Sequence, residues 1–351
     1  MRAGFRHPKS LDLIDDNVTR NRHDADRHVP GCKPPWPTPV QNSGNEVRTN
    51  MKFQLFAVVT LAFSVSLNAQ LIPFDHEQMV KATAENKFDR FPDGRPKVPD
   101  SLLEKLRGCS LEEIWTVLQA HGYTHQFDGK WQVLHPDRKL VGRAVTAQYL
   151  PARPDLFNFI EGQNKGTQLP HNAGEGALGH GTGYRRMVDV LQKDDVLVVD
   201  LFGDVDAGGP IGDNMATAIY AATHAGLVID GAIRDLEGIL EIPMGVYIRG
   251  PHPAAVNNVM LSGINIPIRI GQATVMPGDI VVGDGEGLYF VPPQLAEEIV
   301  TTAEITHVHD EWTKAKFMTG KYKASDLYPT PWDPQLKKEY EEYLKQNLGK
   351  N

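Results

Sequence analysis

Short apolar runs and helical apolar spacings alternate along most of this chain. Lys139 to Leu150 repeats with a period of two, which predicts a strand that buries Val141, Ala144, Val145 and Ala147. Val196-Leu197-Val198-Val199-Asp200 is an apolar run of strand length, and Leu227-Val228-Ile229 is another, extended by Gly231-Ala232-Ile233. Val246-Tyr247-Ile248, Ile266 to Ile270, Ile280-Val281-Val282 and Leu288 to Val291 complete the strand candidates. The last two are separated by the tight turn Gly283-Asp284-Gly285-Glu286-Gly287.

Helical spacings lie between these runs. Ser110-Leu111-Glu112-Glu113 reads as a capping box opening a helix with the stripe Leu111, Ile114, Trp115 and Leu118, Trp115 being placed in the core. Ser101-Leu102-Leu103-Glu104 reads as a second box. A short helix is expected through Ile239 and Ile242, and a longer one from Pro293 to His309 with Leu295, Ile299, Ala303 and Ile305 on its apolar side. A last helix from Pro334 is expected to dock on a neighbouring subunit. Short strands alternating with helices predict an α/β protein, an αβ sandwich whose central sheet curls toward a barrel.

The front of the chain breaks this pattern. Residues 1–50 are polar and without apolar period, an extension with the composition of disorder. Residues 51–69 (MKFQLFAVVTLAFSVSLNA) put Lys52 before an apolar stretch of about fifteen residues, short of the roughly twenty of a spanning helix and suited to a secretory signal peptide. The expectation is that Met51 is the true start and that the mature chain begins near Gln70. It would then be exported, periplasmic or extracellular, and off the membrane after signal cleavage. The other reading of 51–69 is a buried apolar helix in an ordinary extension. Residues 70–100, polar and holding Pro92, Pro96 and Pro99, read as a lead-in segment wrapping the main domain at 101–310, with 311–351 as a C-terminal extension. Hydrophobic content of 41% and charged content of 23% are those of a globular protein. The net charge of −8, with no basic stripe, excludes a nucleic-acid footprint. Cys32 and Cys109 are too few for a disulfide framework, and Cys109 is expected to be buried.

The stretch richest in chemistry is Gly203 to Asp235. Gly208, Gly209, Pro210 and Gly212 form a loop over which a ligand can approach the backbone. Ala216, Ile219, Tyr220, Thr223 and His224 follow at helical spacing, with Asp213 or Asn214 as N-cap and Gly226 as the helix stop. Such a helix start offers unpaired N–H groups and the positive dipole end, which suit a small carboxylate or phosphate. The strand through Ile233 then delivers Arg234-Asp235 to the carboxyl end of the sheet, where α/β ligand sites gather. An arginine there holds a carboxylate or ketone oxygen, and an aspartate holds a hard cation. The plainer reading of the pair is a surface ion pair at a strand end.

Asp213, twenty intervening residues and Arg234-Asp235 together resemble the D-x20-R-D signature of class II pyruvate aldolases, the 4-hydroxy-4-methyl-2-oxoglutarate aldolases and their RraA-like relatives. Three further stretches resemble the same family: Val141-Gly142-Arg143-Ala144-Val145-Thr146, Pro277 to Asp284, and Gly287-Leu288-Tyr289-Phe290-Val291-Pro292. The resemblance runs from about Leu102 to Glu304 and implies an RraA-like fold of the swivelling-domain type. It implies a metal-dependent lyase acting on a small oxo-acid substrate and assembled as a homotrimer or hexamer, with some active-site groups coming from an adjacent subunit. By the same resemblance Gly212, Asp213, Asn214 and Met215 would present N–H groups to the pyruvyl carboxylate. Arg234 would bind the enolate oxygen and Asp235 would hold Mg²⁺ or Mn²⁺. Asp213 would join the proton-handling network or touch metal-bound water, unless it serves as the helix N-cap. Oxaloacetate decarboxylation would be a companion activity. The alternative is a non-catalytic RraA-like regulatory or binding protein, whose cytoplasmic partner an exported chain would not meet.

Other motifs carry less. Gly174 to Gly179 is a literal GxGxxG, but no apolar strand precedes it and Gly181 and Gly183 fall where a helix should run, so it is not read as a dinucleotide site. His171 and His180 read as loop residues, and His307 with His309 as a solvated face beside Asp310-Glu311. Asp204, Asp206, Asp279 and Asp284 are glycine-flanked or loop aspartates, turn formers before they are ligands.

Overall fold

The structure, a computed structural model, describes residues 74–163 and 184–348. The signal-like stretch, the extension before it, the GxGxxG stretch and His171 and His180 all lie outside the described residues. The described strands are β1 (Phe127–Asp128), β2 (Gln132–Val133), β3 (Leu140–Pro151), β4 (Asp195–Asp200), β5 (Gly226–Ile233) and β6 (Gly245–Pro251), then β7 (Val259–Ile264), β8 (Ile268–Ile270), β9 (Ala273–Val275), β10 (Ile280–Gly283) and β11 (Leu288–Val291). Nine of them form one sheet in the order β1-β11-β10-β3-β4-β5-β6-β2, with β7 added along β3. β3 to β6 run parallel, while β10, β11, β1, β2 and β7 pair antiparallel.

This sheet curls because its two ends are adjacent in sequence. β1 closes one edge and β2 the other, and only Gly129, Lys130 and Trp131 separate them. Arg249 on β6 fastens the junction. Its Nε donates to Asp230 Oδ1 and its Nη2 to Asp128 Oδ2, both at 2.6 Å, and its guanidinium stacks 3.7 Å from the Trp131 ring centre. A polar end of the barrel is thus held by charge-assisted bonds and a cation–π contact.

Strand alternation sorts the apolar residues into an inside and an outside. Ala144, Val196, Val198, Val228, Tyr247, Val281 and Phe290 pack in the barrel interior, joined by Ile268, Ile270, Ala273 and Val275 of the β8–β9 hairpin. The intervening residues Val145, Leu197, Val199, Leu227, Ile229, Val246 and Ile248 face outward under helices α5 (Tyr184–Asp189), α6 (Asp213–Thr223) and α7 (Leu236–Leu240). Val141, Ile280, Val282 and Val291 face a second outer layer built from α2 (Asp100–Arg107), α3 (Leu111–Ala120) and α8 (Ala296–Met318). The expected αβ sandwich with a curled, barrel-like sheet is therefore the fold observed.

Details differ from the pattern-based reading. The Ser110 capping box forms with both of its hydrogen bonds, and Leu111, Ile114 and Leu118 are buried, but Trp115 is 49% exposed. Ile305, expected on the apolar side of its helix, is likewise exposed. The helix expected at Ser101 begins at Asp100 without a side-chain cap, because Pro99 presets its entry. α8 reaches Met318, well past His309, and β7 was concealed by its polar Ser262-Gly263.

Ahead of α2 the chain forms a seven-residue helix, α1 (His76–Ala82), and is tied to the sheet through buried arginines. Arg95, fully buried, meets both carboxylate oxygens of Asp195 at 3.2 and 3.3 Å, and Arg143 donates to Val98 O. In the C-terminal extension, α10 (Pro334–Asn347) lies on α8 of its own chain, with Tyr340 5.2 Å from Trp312 and Lys316 paired to Glu339. No helix among the described residues is long and apolar enough to cross a membrane.

Candidate functional site

The loop between β4 and α6 is pressed against the end of β5. A Cβ on Gly209 would lie 2.4 Å from Arg234 N, and one on Gly208, at φ +82°, 2.6 Å from Ala255 O. Only glycine allows this approach, and Arg234 N then donates to Ile211 O at 3.0 Å.

α6 starts from Gly212, which is its N-cap in extended geometry with no side-chain cap bond. The expectation that Asp213 or Asn214 caps the helix is corrected: Asp213 is the first helical residue, and its Oδ1 accepts from Asn214 N at 2.7 Å. With no capping side chain reaching back, the first-turn amides of Asp213 and Met215 have no helical carbonyl partner. The helix stop is also two residues earlier than expected. His224, at φ +53°, ends α6, whereas Gly226 opens β5, where a Cβ would collide with Gly245 O at 2.2 Å.

β5 delivers Arg234 and Asp235 beside that helix start. Arg234 Nη1 donates to Asp235 Oδ2 at 3.2 Å, while the Arg234 Nε is buried without a hydrogen-bond partner. Asp235 adopts the left-handed conformation (φ +57°, ψ +45°) at the N-cap position of α7 but makes no side-chain cap bond, so its carboxylate is not spent on the helix. Gly212 leaves space for both side chains: a Cβ there would sit 2.3 Å from Asp235 Oδ2 and 3.1 Å from Arg234 Cζ. Gly238 on α7 does the same for Asp213, whose Cβ would be 2.8 Å from a Cβ placed on it.

Asp213, Arg234 and Asp235 thus line one open cleft of ≈ 580 Å³ with Leu236, Glu237, Gly238, Pro251, His252 and Pro253. The structure brings together Gly212, Asp213, Arg234 and Asp235. Asn214 is exposed and Met215 leans on the core, so these two offer the site their backbone only. Glu237 and His252 were not read from the sequence. The signal for His252 was its setting, Pro251-His252-Pro253, at the end of the strand that neighbours β5.

Among the described residues no group of three or more His, Cys, Asp and Glu side chains is arranged to hold a metal. Asp213 and Asp235 still offer the cleft carboxylate oxygens, the donor type that a hard cation takes. Mg²⁺ commonly takes one or two protein carboxylates and keeps water on its other positions. Three other acidic candidates, Asp204, Asp279 and Asp284, each give a carboxylate oxygen to a nearby backbone amide, the contact a turn-forming aspartate makes. Asp204 Oδ1 accepts from Asp206 N and Asp284 Oδ1 from Glu286 N. Asp279 Oδ2 accepts from Met276 N at 2.8 Å, and burial pushes its carboxyl up to about 7. His307 pairs with Glu113 at 3.0 Å while His309 turns to Asp310 and Pro329 O, so the two do not form a metal pair.

Comparison with known proteins adds a family. Residues 102–289 match the family model described as RraA-like: Aldolase/RraA. The protein DlpA of Legionella pneumophila is 27% identical over 66% of this chain and 35% of its own length. The 4-hydroxy-4-methyl-2-oxoglutarate aldolase of Thermus thermophilus is 29% identical over 25% of this chain and 57% of its own length. The chain therefore spans about a third of the one and a little over half of the other. Among solved structures, Streptomyces coelicolor RraAS2, described as an unusual member of the RNase ES inhibitor RraA protein family, superposes with a TM-score of 0.51 at 25% identity. The match covers 64% of this chain and 98% of that one.

Proposed function

The chain belongs to the RraA-like aldolase family, and on that premise we propose that it is a divalent-metal-dependent carbon–carbon lyase. Its substrate would be 4-hydroxy-4-methyl-2-oxoglutarate or a related oxo acid, cleaved to pyruvate by retro-aldol chemistry. The observation that carries this reading is the buried, unpartnered Arg234 Nε beside the uncapped start of α6. A buried N–H without an acceptor costs about 1–3 kcal/mol, a cost removed when a ligand oxygen supplies the acceptor.

The chemistry follows from where charge develops. The pyruvyl carboxylate seats on the first-turn amides of α6, with the helix dipole behind it. The C4 hydroxyl gives up its proton, the C3–C4 bond breaks, and its electron pair moves through C3 onto the C2 oxygen as an enolate. Arg234 holds that oxygen by charge-assisted hydrogen bonds, which strengthen as it becomes negative. Asp213, at the mouth of the same cleft, serves the proton network that must later return a proton to C3. Asp235 would hold the Mg²⁺ or Mn²⁺, whose positive charge would supply Lewis-acid stabilisation of the enolate. Loss of CO₂ from oxaloacetate leaves the same enolate, so decarboxylation would accompany the aldolase activity.

The proposal extends to the whole chain: signal peptide at 51–69, lead-in at 70–100, aldolase domain at 101–310, extension at 311–351, export, and assembly as a trimer or hexamer around the open clefts. A non-catalytic binding role is the second reading, favoured by the RNase ES inhibitor family named for the Streptomyces relative. The deciding experiment is pyruvate release from 4-hydroxy-4-methyl-2-oxoglutarate and from oxaloacetate, with Mg²⁺, with EDTA, and with Arg234→Ala and Asp235→Asn. Metal-dependent release lost in both variants supports the lyase. Release no greater than metal alone gives with either substrate leaves the binding role.

A further inference from the structure

We propose that His252 is a specificity residue that donates a hydrogen bond to a carboxylate on the half of the substrate that leaves, so that the cleft selects oxo acids with a second carboxylate. The inference rests on the lyase reading of the same cleft. His252 lies one residue past the β5–β6 pairing of Ile233 with Pro251, as Arg234 does on its own strand. The two residues are therefore level at neighbouring strand ends, and His252 N donates to Ile233 O at 2.8 Å. Adjacent strands are about 4.8 Å apart, on the scale of the four-bond path from the C2 oxygen to the far carboxyl carbon of a five-carbon oxo acid. A substrate whose C2 oxygen lies on Arg234 accordingly brings its far end to the His252 corner.

The imidazole is held in place before any ligand arrives. Pro251 and Pro253 flank it, and a residue preceding proline is restricted to extended backbone. Ala254 N donates to its Nδ1 at 3.1 Å. A neutral imidazole that accepts at Nδ1 carries its proton on Nε2, the opposite corner of the ring, and is there a donor and not a base. That assignment separates His252 from the proton-transfer groups and gives it a recognition role.

The acids of the cleft do not forbid an anion at this corner. Asp235 is paired with Arg234, and Asp213 is turned to Asn214 N, which leaves Glu237 on the solvent side of α7 as the acid without such a contact among the described residues. A neutral donor adds selectivity through geometry without a further charge to desolvate.

The test compares two substrates that share the pyruvyl half: 4-hydroxy-4-methyl-2-oxoglutarate, whose leaving half bears a carboxylate, and 4-hydroxy-2-oxopentanoate, whose leaving half is acetaldehyde. His252→Ala is expected to lower kcat/KM for the first about 10-fold more than for the second, mainly through KM, as loss of a hydrogen bond to a charged group implies. His252→Gln, which keeps an N–H at similar reach, is expected to recover part of that ratio. An equal effect on both substrates, or no effect on either, overturns the proposal. If the wild-type chain cleaves neither substrate, the lyase reading has failed. Calorimetric binding of 2-oxoglutarate and of pyruvate then decides the subsite on its own. Selective weakening of 2-oxoglutarate in His252→Ala supports it, and the absence of selective weakening overturns it.

Discussion

Gly212 and Asp235, on different elements and separated by the whole of α6 and β5, approach so closely that a Cβ on the glycine would stand 2.3 Å from Asp235 Oδ2. The helix start, the arginine and the Asp235 carboxylate are therefore one packed unit, and a methyl group at position 212 has to displace the Asp235 carboxylate or the Arg234 guanidinium. Gly212→Ala is expected to reduce pyruvate release by about 10²-fold, the scale of a misplacement near one ångström. Its melting temperature should hardly change, since the clash falls on partly exposed side-chain ends. Steady-state kinetics with circular-dichroism melting checks this, and a variant with full activity would disconnect Gly212 from the site.

Arg234 has two nitrogens in different settings: Nη1 donates to Asp235, while Nε is buried without a hydrogen-bond partner. Lysine reproduces the charge but not the second donor at the branch point. Arg234→Lys is expected to lose about 10²–10³-fold in kcat, the loss typical of removing one donor to a developing oxyanion. Added guanidinium or methylguanidine should restore activity to Arg234→Ala and not to Arg234→Lys, which a rescue titration would read directly.

Much of this arrangement was legible in the residues. The runs at Val196, Leu227 and Ile280 are buried on both faces, so their apolar continuity marked them as central strands whatever the fold around them. Arg234-Asp235 could be placed at a strand end because the run before it stops there. What was hidden depends on partners distant in sequence. Nothing local distinguishes Gly226 as a helix stop from Gly226 as the one residue that fits against Gly245, and the pairing of β5 with β6 decides it. The uncapped start of α6 was likewise masked by Asp213 and Asn214, good caps by type but one and two residues too late once Gly212 is fixed against Asp235. Arg95 looked like part of a polar lead-in, and only its contact with Asp195, a hundred residues on, makes it core.

That contact gives a third prediction. Arg95 and Asp195 side chains are both fully buried, and Asp93 adds a third bond at 2.7 Å to Arg95 Nε. Removing one partner of a buried pair leaves the other uncompensated, at a cost of about 3–5 kcal/mol. Arg95→Met is expected to lose that much in urea unfolding, and the double variant Arg95→Met/Asp195→Asn to recover a clear part of it. Costs that simply add would show that the two groups do not act as a pair.

Asp279 supplies a prediction in pH. Its carboxyl is buried at the start of β10, and desolvation raises it from the ordinary 3.8 to about 7 against the opposing bond from Met276 N. Below the unfolded value the group is protonated whether the chain is folded or not, and stability does not depend on it. Between about 4 and about 7 the unfolded chain releases the proton while the folded chain keeps it, so stability falls as pH rises. Above the folded value the loss is complete and levels off, with a size of a few kcal/mol on the order expected for such a shift. Asp279→Asn keeps an oxygen for Met276 N and has no proton to lose. The difference in unfolding free energy between this variant and the wild-type chain should therefore grow in the variant's favour across that interval and stay constant beyond it. Urea titrations of both chains at a series of pH values measure that difference directly. A difference independent of pH would mean that Asp279 ionises in the folded chain as freely as in water.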